Sequence, residues 1–125
     1  MMRREAKCAC GNLTAICSGQ PFKVSLCHCL ACQKRTGSAF GIAAFFAYEN
    51  VSIDGKSRTY ARASDSGFDV TFHFCPTCGT TVFWYPLRMP HLVAVAAGCF
   101  ADPAFPRPTQ SVYVESRHPW LTVED

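Results

Sequence analysis

The chain has 125 residues, the size of one domain, and is 49% hydrophobic and 17% charged, a composition that excludes a disordered chain and allows a packed core. Its formal net charge is +3, with basic residues scattered apart from Arg3, Arg4 and Lys7 and the pair Lys34–Arg35, so no nucleic-acid partner is expected. No apolar stretch approaches the ~18 residues needed to span a membrane, and no apolar run follows the basic start MMRREAKCACG as in a secretory leader, which places the expected site of action in the cytosol, where thiols stay reduced.

Taken in order, the residues read as many short strands. The basic N-terminal cluster reads as a solvated tail. Asn12–Cys17 and Phe22–Leu26 flank Ser18–Gly19–Gln20–Pro21, the pattern of a hairpin. A single short helix is predicted over Leu30–Thr36, stopped by Gly37, with Lys34 and Arg35 in its last turn, where cations are favoured. Ser38–Tyr48 is apolar throughout and reads as a strand buried on both faces. Val51–Ile53 and Arg58–Ala61 flank Asp54–Gly55, a second hairpin signal. Phe68–Phe74 alternates, which predicts Phe68, Val70, Phe72 and Phe74 facing inward and Asp69, Thr71 and His73 on the other face. Thr80–Tyr85, Leu92–Ala97 and Ser111–Val114 complete the strands, with Asp102–Pro108 as a Pro-rich connector. The fold class is all-β with a minor helix, in one domain spanning residues 1–125.

Nine cysteines dominate the chemistry. Seven fall into three groups: Cys8 and Cys10 before Gly11, then Cys27, Cys29 and Cys32, then Cys75 and Cys78 before Gly79. Sulfurs two or three residues apart can reach one tetrahedral ion, and a trailing glycine permits the tight turn that aims backbone N–H groups at the thiolates. In a chain expected to stay reduced, this pattern points to zinc. Seven ligands divide naturally into four and three. Four thiolates close a structural site, and three leave a position open for water or substrate. The two similar knuckles, Cys8/Cys10 and Cys75/Cys78, would make the four-thiol site, and Cys27, Cys29 and Cys32 the open one; spacing alone also permits a two-metal or shared-ligand arrangement. Cys17 and Cys99 stand alone and read as small buried apolar residues, with Cys99 a candidate for an extra thiol. His28 sits between two ligands and should point away from them as a supporting residue. His73, His91 and His118 have no ligand spacing. Lys34 and Arg35 either balance the charge of a three-thiolate zinc or attract a carboxylate of an acidic substrate.

The order CxCG, CHCxxC, FCPxCG resembles the glutathione-dependent formaldehyde-activating enzymes and the related centromere protein V domain. The resemblance runs from Cys8 to about Trp120. It also takes in the run from Cys32 through Gln33, Lys34, Arg35, Thr36, Gly37, Ser38 and Ala39 to Phe40, then Ser66–Gly67, Gly79–Thr80 and Pro119–Trp120. It implies a β-tent of small antiparallel sheets around a structural zinc on Cys8, Cys10, Cys75 and Cys78, with a catalytic zinc on Cys27, Cys29 and Cys32. It implies addition of the glutathione thiol to formaldehyde, a carbon–sulfur lyase reaction when named from its reverse. Zinc suits that chemistry because coordination lowers a thiol's pKa. The chain is a short version of the family, with little room for segments that shape a glutathione pocket, so the zinc ligands carry over better than the substrate. A non-enzymatic zinc module for a protein partner is the alternative, and a nucleic-acid-binding zinc protein a weaker one.

Overall fold

The computed structural model describes residues 2–64 and 67–123; Ser66, one of the residues carrying the family resemblance, lies outside them. Among the described residues, ten strands form two sheets. The smaller holds β1 (Arg3–Lys7), β2 (Thr14–Ser18) and β5 (Val51–Asp54), in the order β1-β2-β5 and antiparallel throughout. The larger is built from β3 (Lys23–Cys27), β4 (Gly41–Ala47), β6 (Arg58–Arg62), β7 (Val70–Phe74), β8 (Thr81–Pro86), β9 (Leu92–Ala96) and β10 (Gln110–Val112). Its order is β10-β3-β4-β9-β8-β7-β6, antiparallel except for the parallel pair β10–β3. The expected all-β class with one helix is the one observed.

Alternation along the central strands explains why both faces of the large sheet are covered. In β4, Ala44 and Phe46 pack with Val93 and Val95 of β9, Val82, and Ala6, Ala15 and Cys17 from the small sheet. Their neighbours Phe45, Leu92 and Ala94 point the other way and meet Phe72 and Trp84. The continuous apolar run in β4 is therefore a strand buried on both faces, as its composition predicts.

Helix α1 (Leu30–Thr36) lies on the Phe72–Trp84 side, where the Arg35 guanidinium stands 4.6 Å from the centre of the Trp84 ring. It starts at Cys29, whose Sγ accepts from Cys32 N at 3.3 Å, and stops at Gly37, left-handed at φ 63°, whose N–H returns to Gln33 O at 2.8 Å. The Gly37 stop was legible in the sequence; the cap at Cys29, read there only as a ligand, was not.

Four expectations are corrected. The N-terminal basic cluster is not a free tail: it is the edge strand β1, with Ala6 fully buried and Arg3, Glu5 and Lys7 outward. β2 and β3 do not form a hairpin. β2 pairs with β1 and β5, and β3 joins the other sheet, because the N-terminal strand takes the edge that β3 would need. β5 and β6 likewise belong to different sheets, paired with β2 and β7. Gly55 serves that crossover, not a hairpin: its φ is +102°, and a Cβ there would stand 2.0 Å from Asn12 O, where no side chain fits. Finally, β7 begins at Val70, and Phe68 is 47% exposed, whereas Phe72 is buried. The alternation continues past the end of the strand, where no layer remains to cover it.

Candidate metal centres

The first thiol cluster is made by two turns that follow β1 and β7. After β1, Cys8 N donates to Leu13 O at 3.0 Å, Gly11 N donates to Cys8 O at 3.0 Å, and Leu13 N donates to Cys8 Sγ at 3.2 Å. After β7, Cys75 N donates to Thr80 O at 3.0 Å, Gly79 N to Cys75 O at 2.9 Å, and Thr77 N to Cys75 Sγ at 3.4 Å. Gly11 and Gly79 close these turns at φ +84° and +80°, a conformation other residues adopt at a cost. Ala9 N joins the two by donating to Thr80 Oγ1 at 3.1 Å. N–H groups aimed at sulfur favour the thiolate. The Thr80 hydroxyl does the same for Cys78, and, with the Thr80 backbone and other donors, brings that thiol down to about 5.

The sulfurs of Cys8, Cys10, Cys75 and Cys78 all lie within 4.8 Å of one another. Cys8 and Cys10 are 3.7 Å apart, and Cys10 and Cys75 3.6 Å. Sulfurs at ~2.3 Å from a tetrahedral zinc stand about 3.8 Å from each other. The spacing fits such an ion, and it exceeds a disulfide's ~2.0 Å. Cys8 and Cys75 are buried in the apolar core, and Cys10 and Cys78 face outward.

The second cluster forms where β3 runs into α1. Cys27 ends the strand, Cys29 caps the helix and Cys32 lies in its first turn; the three sulfurs are also within 4.8 Å of one another. Each is half-buried, and among the described residues no fourth His, Cys, Asp or Glu completes the group. Cys27 and Cys32 share a proton unequally. The hydrogen bond from Cys27, with contributions from Cys29 and the Arg35 guanidinium, brings Cys32 down to about 5. Cys27 is driven well above the usual thiol range, first by that same pairing and then by burial. The cluster opens on a cavity of about 540 Å³, within the range of small-molecule sites. Leu30, Phe68, Leu87 and Tyr113 stand exposed around it. Tyr113 holds a left-handed backbone at φ 54°, which ends β10 beside the cavity. A larger cavity, about 790 Å³, lies against Cys8 of the first cluster, Thr80 and Cys99.

The remaining candidates sort by position. Cys17 is fully buried, and burial pushes its thiol up to about 12. Cys99 donates to Thr81 O at 3.5 Å and is raised by burial to about 11. Neither joins a cluster. His28 is fully buried, its ring edge-on to Phe40 at 6.4 Å, and burial lowers its pKa. It is not one of the three clustered ligands. His73 packs in the sheet, stacked on Phe83 at 4.5 Å, with Nδ1 2.9 Å from Ser57 Oγ. Lys34 and Arg35, treated alike in the sequence, part company. Arg35 turns toward Cys32 and the Trp84 ring, so close to β4 that a Cβ on Gly41 would meet its Nη2 at 2.7 Å. Lys34 stays exposed.

Gln33 is the residue that sequence reasoning passed over. Its Nε2 donates to His28 O at 2.9 Å and to Ser116 O at 3.0 Å, and its Oε1 lies 2.8 Å from His118 Nε2. The amide thus clamps the loop between Cys27 and Cys29 to the C-terminal segment. The only signal was its place beside Cys32 in the run that carries the resemblance; of its three partners, Ser116 and His118 lie more than eighty residues away.

Fold and clusters together define a cysteine-rich β-domain with two groups of thiols that could each hold a metal ion. Residues 3–116 match the family described as "Glutathione-dependent formaldehyde-activating enzyme", and the chain belongs to that family. A Halomonas elongata protein named "Putative glutathione-dependent formaldehyde-activating enzyme" is 26% identical over 130 residues, covering 98% of this chain and 82% of its own. The crystal structure of a Rhodobacter sphaeroides protein superposes with a TM-score of 0.63 at 17% identity, covering 86% of this chain and 98% of that one, a likeness of fold. No helix among the described residues is long and apolar enough to cross a membrane.

Proposed function

We propose that residues 1–125 act as one zinc-dependent domain that adds a thiol, glutathione or one like it, to formaldehyde or a related small aldehyde, with carbon–sulfur lyase activity in reverse. The observation that carries this reading is the three-sulfur cluster, one ligand short of tetrahedral, open to a cavity of about 540 Å³. Cys8, Cys10, Cys75 and Cys78 would hold a structural zinc; Cys27, Cys29 and Cys32 would hold the catalytic one. Bound there, zinc supplies a lowered thiol pKa and a fixed place for the thiolate.

The chain's own residues do the rest. Gln33 fixes the loop that carries Cys27 and Cys29. Arg35 offsets the charge of the thiolates from behind. The apolar residues at the mouth exclude water from a small electrophile. In the net reaction the thiol sulfur forms a bond to the carbonyl carbon, the π pair moves to oxygen, and that oxygen takes the proton the thiol releases. A cytosolic setting, where the free thiols persist, belongs to the same proposal. The exposed rim of Leu30, Phe68, Leu87 and Tyr113 favours a second reading, a module that binds a protein partner.

The test is zinc analysis together with NMR exchange of labelled formaldehyde with glutathione, measured against the uncatalysed rate. Wild type should exceed that rate, and Cys29→Ser should return to it while keeping a folded spectrum and one zinc per chain. Equal exchange in both proteins would overturn the enzymatic reading.

A further inference from the structure

Gly41 opens β4 in ordinary extended backbone, outside the left-handed region that favours glycine. Glycine weakens a strand, and alanine at such a position ordinarily stabilises the chain. Space explains the choice. A Cβ on Gly41 would meet Arg35 Nη2 at 2.7 Å, closer than side chains approach. Cys32 Cβ and Thr36 Cγ2, at 3.4 and 3.6 Å from the same point, would be in ordinary contact with it. The conflict is therefore with Arg35.

The same position backs the three-sulfur cluster. Gly41 pairs with Cys27 across β3 and β4 and lies against Cys32 of α1. One point thus touches both the Arg35 guanidinium and the carbon that bears the Cys32 sulfur. Cys32 and Arg35 are spaced i, i+3 and share a helix face. The Thr36 hydroxyl, which donates to Cys32 O at 2.9 Å and lies 3.2 Å from Phe40 O, ties that helix to the start of β4.

The guanidinium is inserted in this slot. It stands 4.6 Å from the centre of the Trp84 ring and 5.4 Å from that of Phe72, and its Nε is buried with no hydrogen-bond partner among the described residues. Burying a cation is costly unless negative charge answers it. No carboxylate among the described residues pairs with Arg35; the ion pairs there join Glu5 to Arg3 and Lys7. Three thiolates around a doubly charged zinc would leave a net negative charge beside it. Among the described residues, Arg35 and Gly41 border the 790 Å³ cavity and not the one onto which the three sulfurs open, so the cation leaves the free ligand position clear.

We propose that Gly41 and Arg35 are positioning residues for the second metal centre: the bare strand position makes a slot that holds the guanidinium behind Cys32, and this fixed cation lets three thiolates share one ion. The inference deepens the proposed function and rests on the second cluster's holding zinc.

The test is competition for zinc between the loaded protein and the dye 4-(2-pyridylazo)resorcinol, with melting curves to establish folding. Cys29→Ser, which should keep the first cluster's zinc only, identifies that cluster's share. Gly41→Ala should lower zinc affinity at the second cluster by about tenfold, the size of one lost charge-assisted contact, and leave the first unchanged. Arg35→Met, which keeps the stem against the rings without the charge, should do the same, and Arg35→Lys should recover most of the loss. Adding Gly41→Ala to Arg35→Met should weaken zinc no further, because methionine is too short to meet the new Cβ. Wild-type affinity in folded Gly41→Ala, Arg35→Lys as weak as Arg35→Met, or losses that add in the double variant would each overturn the proposal. If Gly41→Ala does not fold, the two Arg35 variants decide. A wild type holding a single zinc would overturn this inference together with the open metal site of the proposed function, whereas two zinc ions held with wild-type affinity by the variants would overturn the inference alone.

Discussion

The two thiol clusters use the same ligand chemistry in opposite surroundings. Cys8 and Cys75 belong to the core between the sheets, and their cluster joins the end of β1 in the small sheet to the end of β7 in the large one. Cys27, Cys29 and Cys32 lie on the other face of the large sheet, half-buried, on one continuous stretch of chain at a cavity wall. A cross-link between residues 65 positions apart restrains the unfolded chain far more than one within six residues. Under the proposed function, depth and sequence separation would give the first cluster the structural role, and openness would give the second the reactive one.

The sharpest way to break that contrast is Cys78→Ser. Serine is a poor ligand for zinc, and a structural zinc contributes directly to folding, so the variant should lose one zinc per chain and its cooperative melting transition. Circular dichroism and metal analysis check this, and a normal melt with full metal would place stability elsewhere. Next in size is Phe72→Ala. Phe72 is buried against Trp84 at 5.1 Å beneath the open cluster, and its loss should cost about 3–5 kcal/mol in urea denaturation. That result would mean that the reactive side rests on packing more than on metal.

Gln33→Ala should cost less, about 1–3 kcal/mol, the penalty for leaving the partly buried carbonyls of His28 and Ser116 unpaired. It should also weaken zinc at the second cluster while sparing the first, which competition with a chelator would read. The smallest effect belongs to Phe68→Ala. Phe68 is exposed at the cavity mouth, so stability should move by no more than about 0.5 kcal/mol. A change in KM without a change in melting temperature would sharpen the division between the two faces.

Much of this was legible in the residues, and for a common reason. The end of α1 is set by Gly37, within hydrogen-bond reach along the chain. The spacing within CxC and CxxC is a property of one turn, so the three cysteine groups could be read without knowing what faces them. The unbroken apolar run of β4 carries its burial on both faces. Where the reading failed, the deciding contact was distant. Two sensible turn signals, at Gly19 and Gly55, flank strands that part into different sheets, because a turn sequence specifies a change of direction and not a partner. Phe68 continues an apolar alternation beyond the strand that would have buried it.

What the sequence by itself determined is the ligand inventory, the local turns that arm it and the class of fold, since each depends on interactions over a few residues. Only the tertiary structure decided that Cys8 and Cys10 meet Cys75 and Cys78, and that Gln33 clamps the second cluster through Ser116 and His118. Those juxtapositions follow from which strands share a sheet. That choice is made by the burial of whole faces at once, a sum over residues far apart in the chain that no local pattern contains.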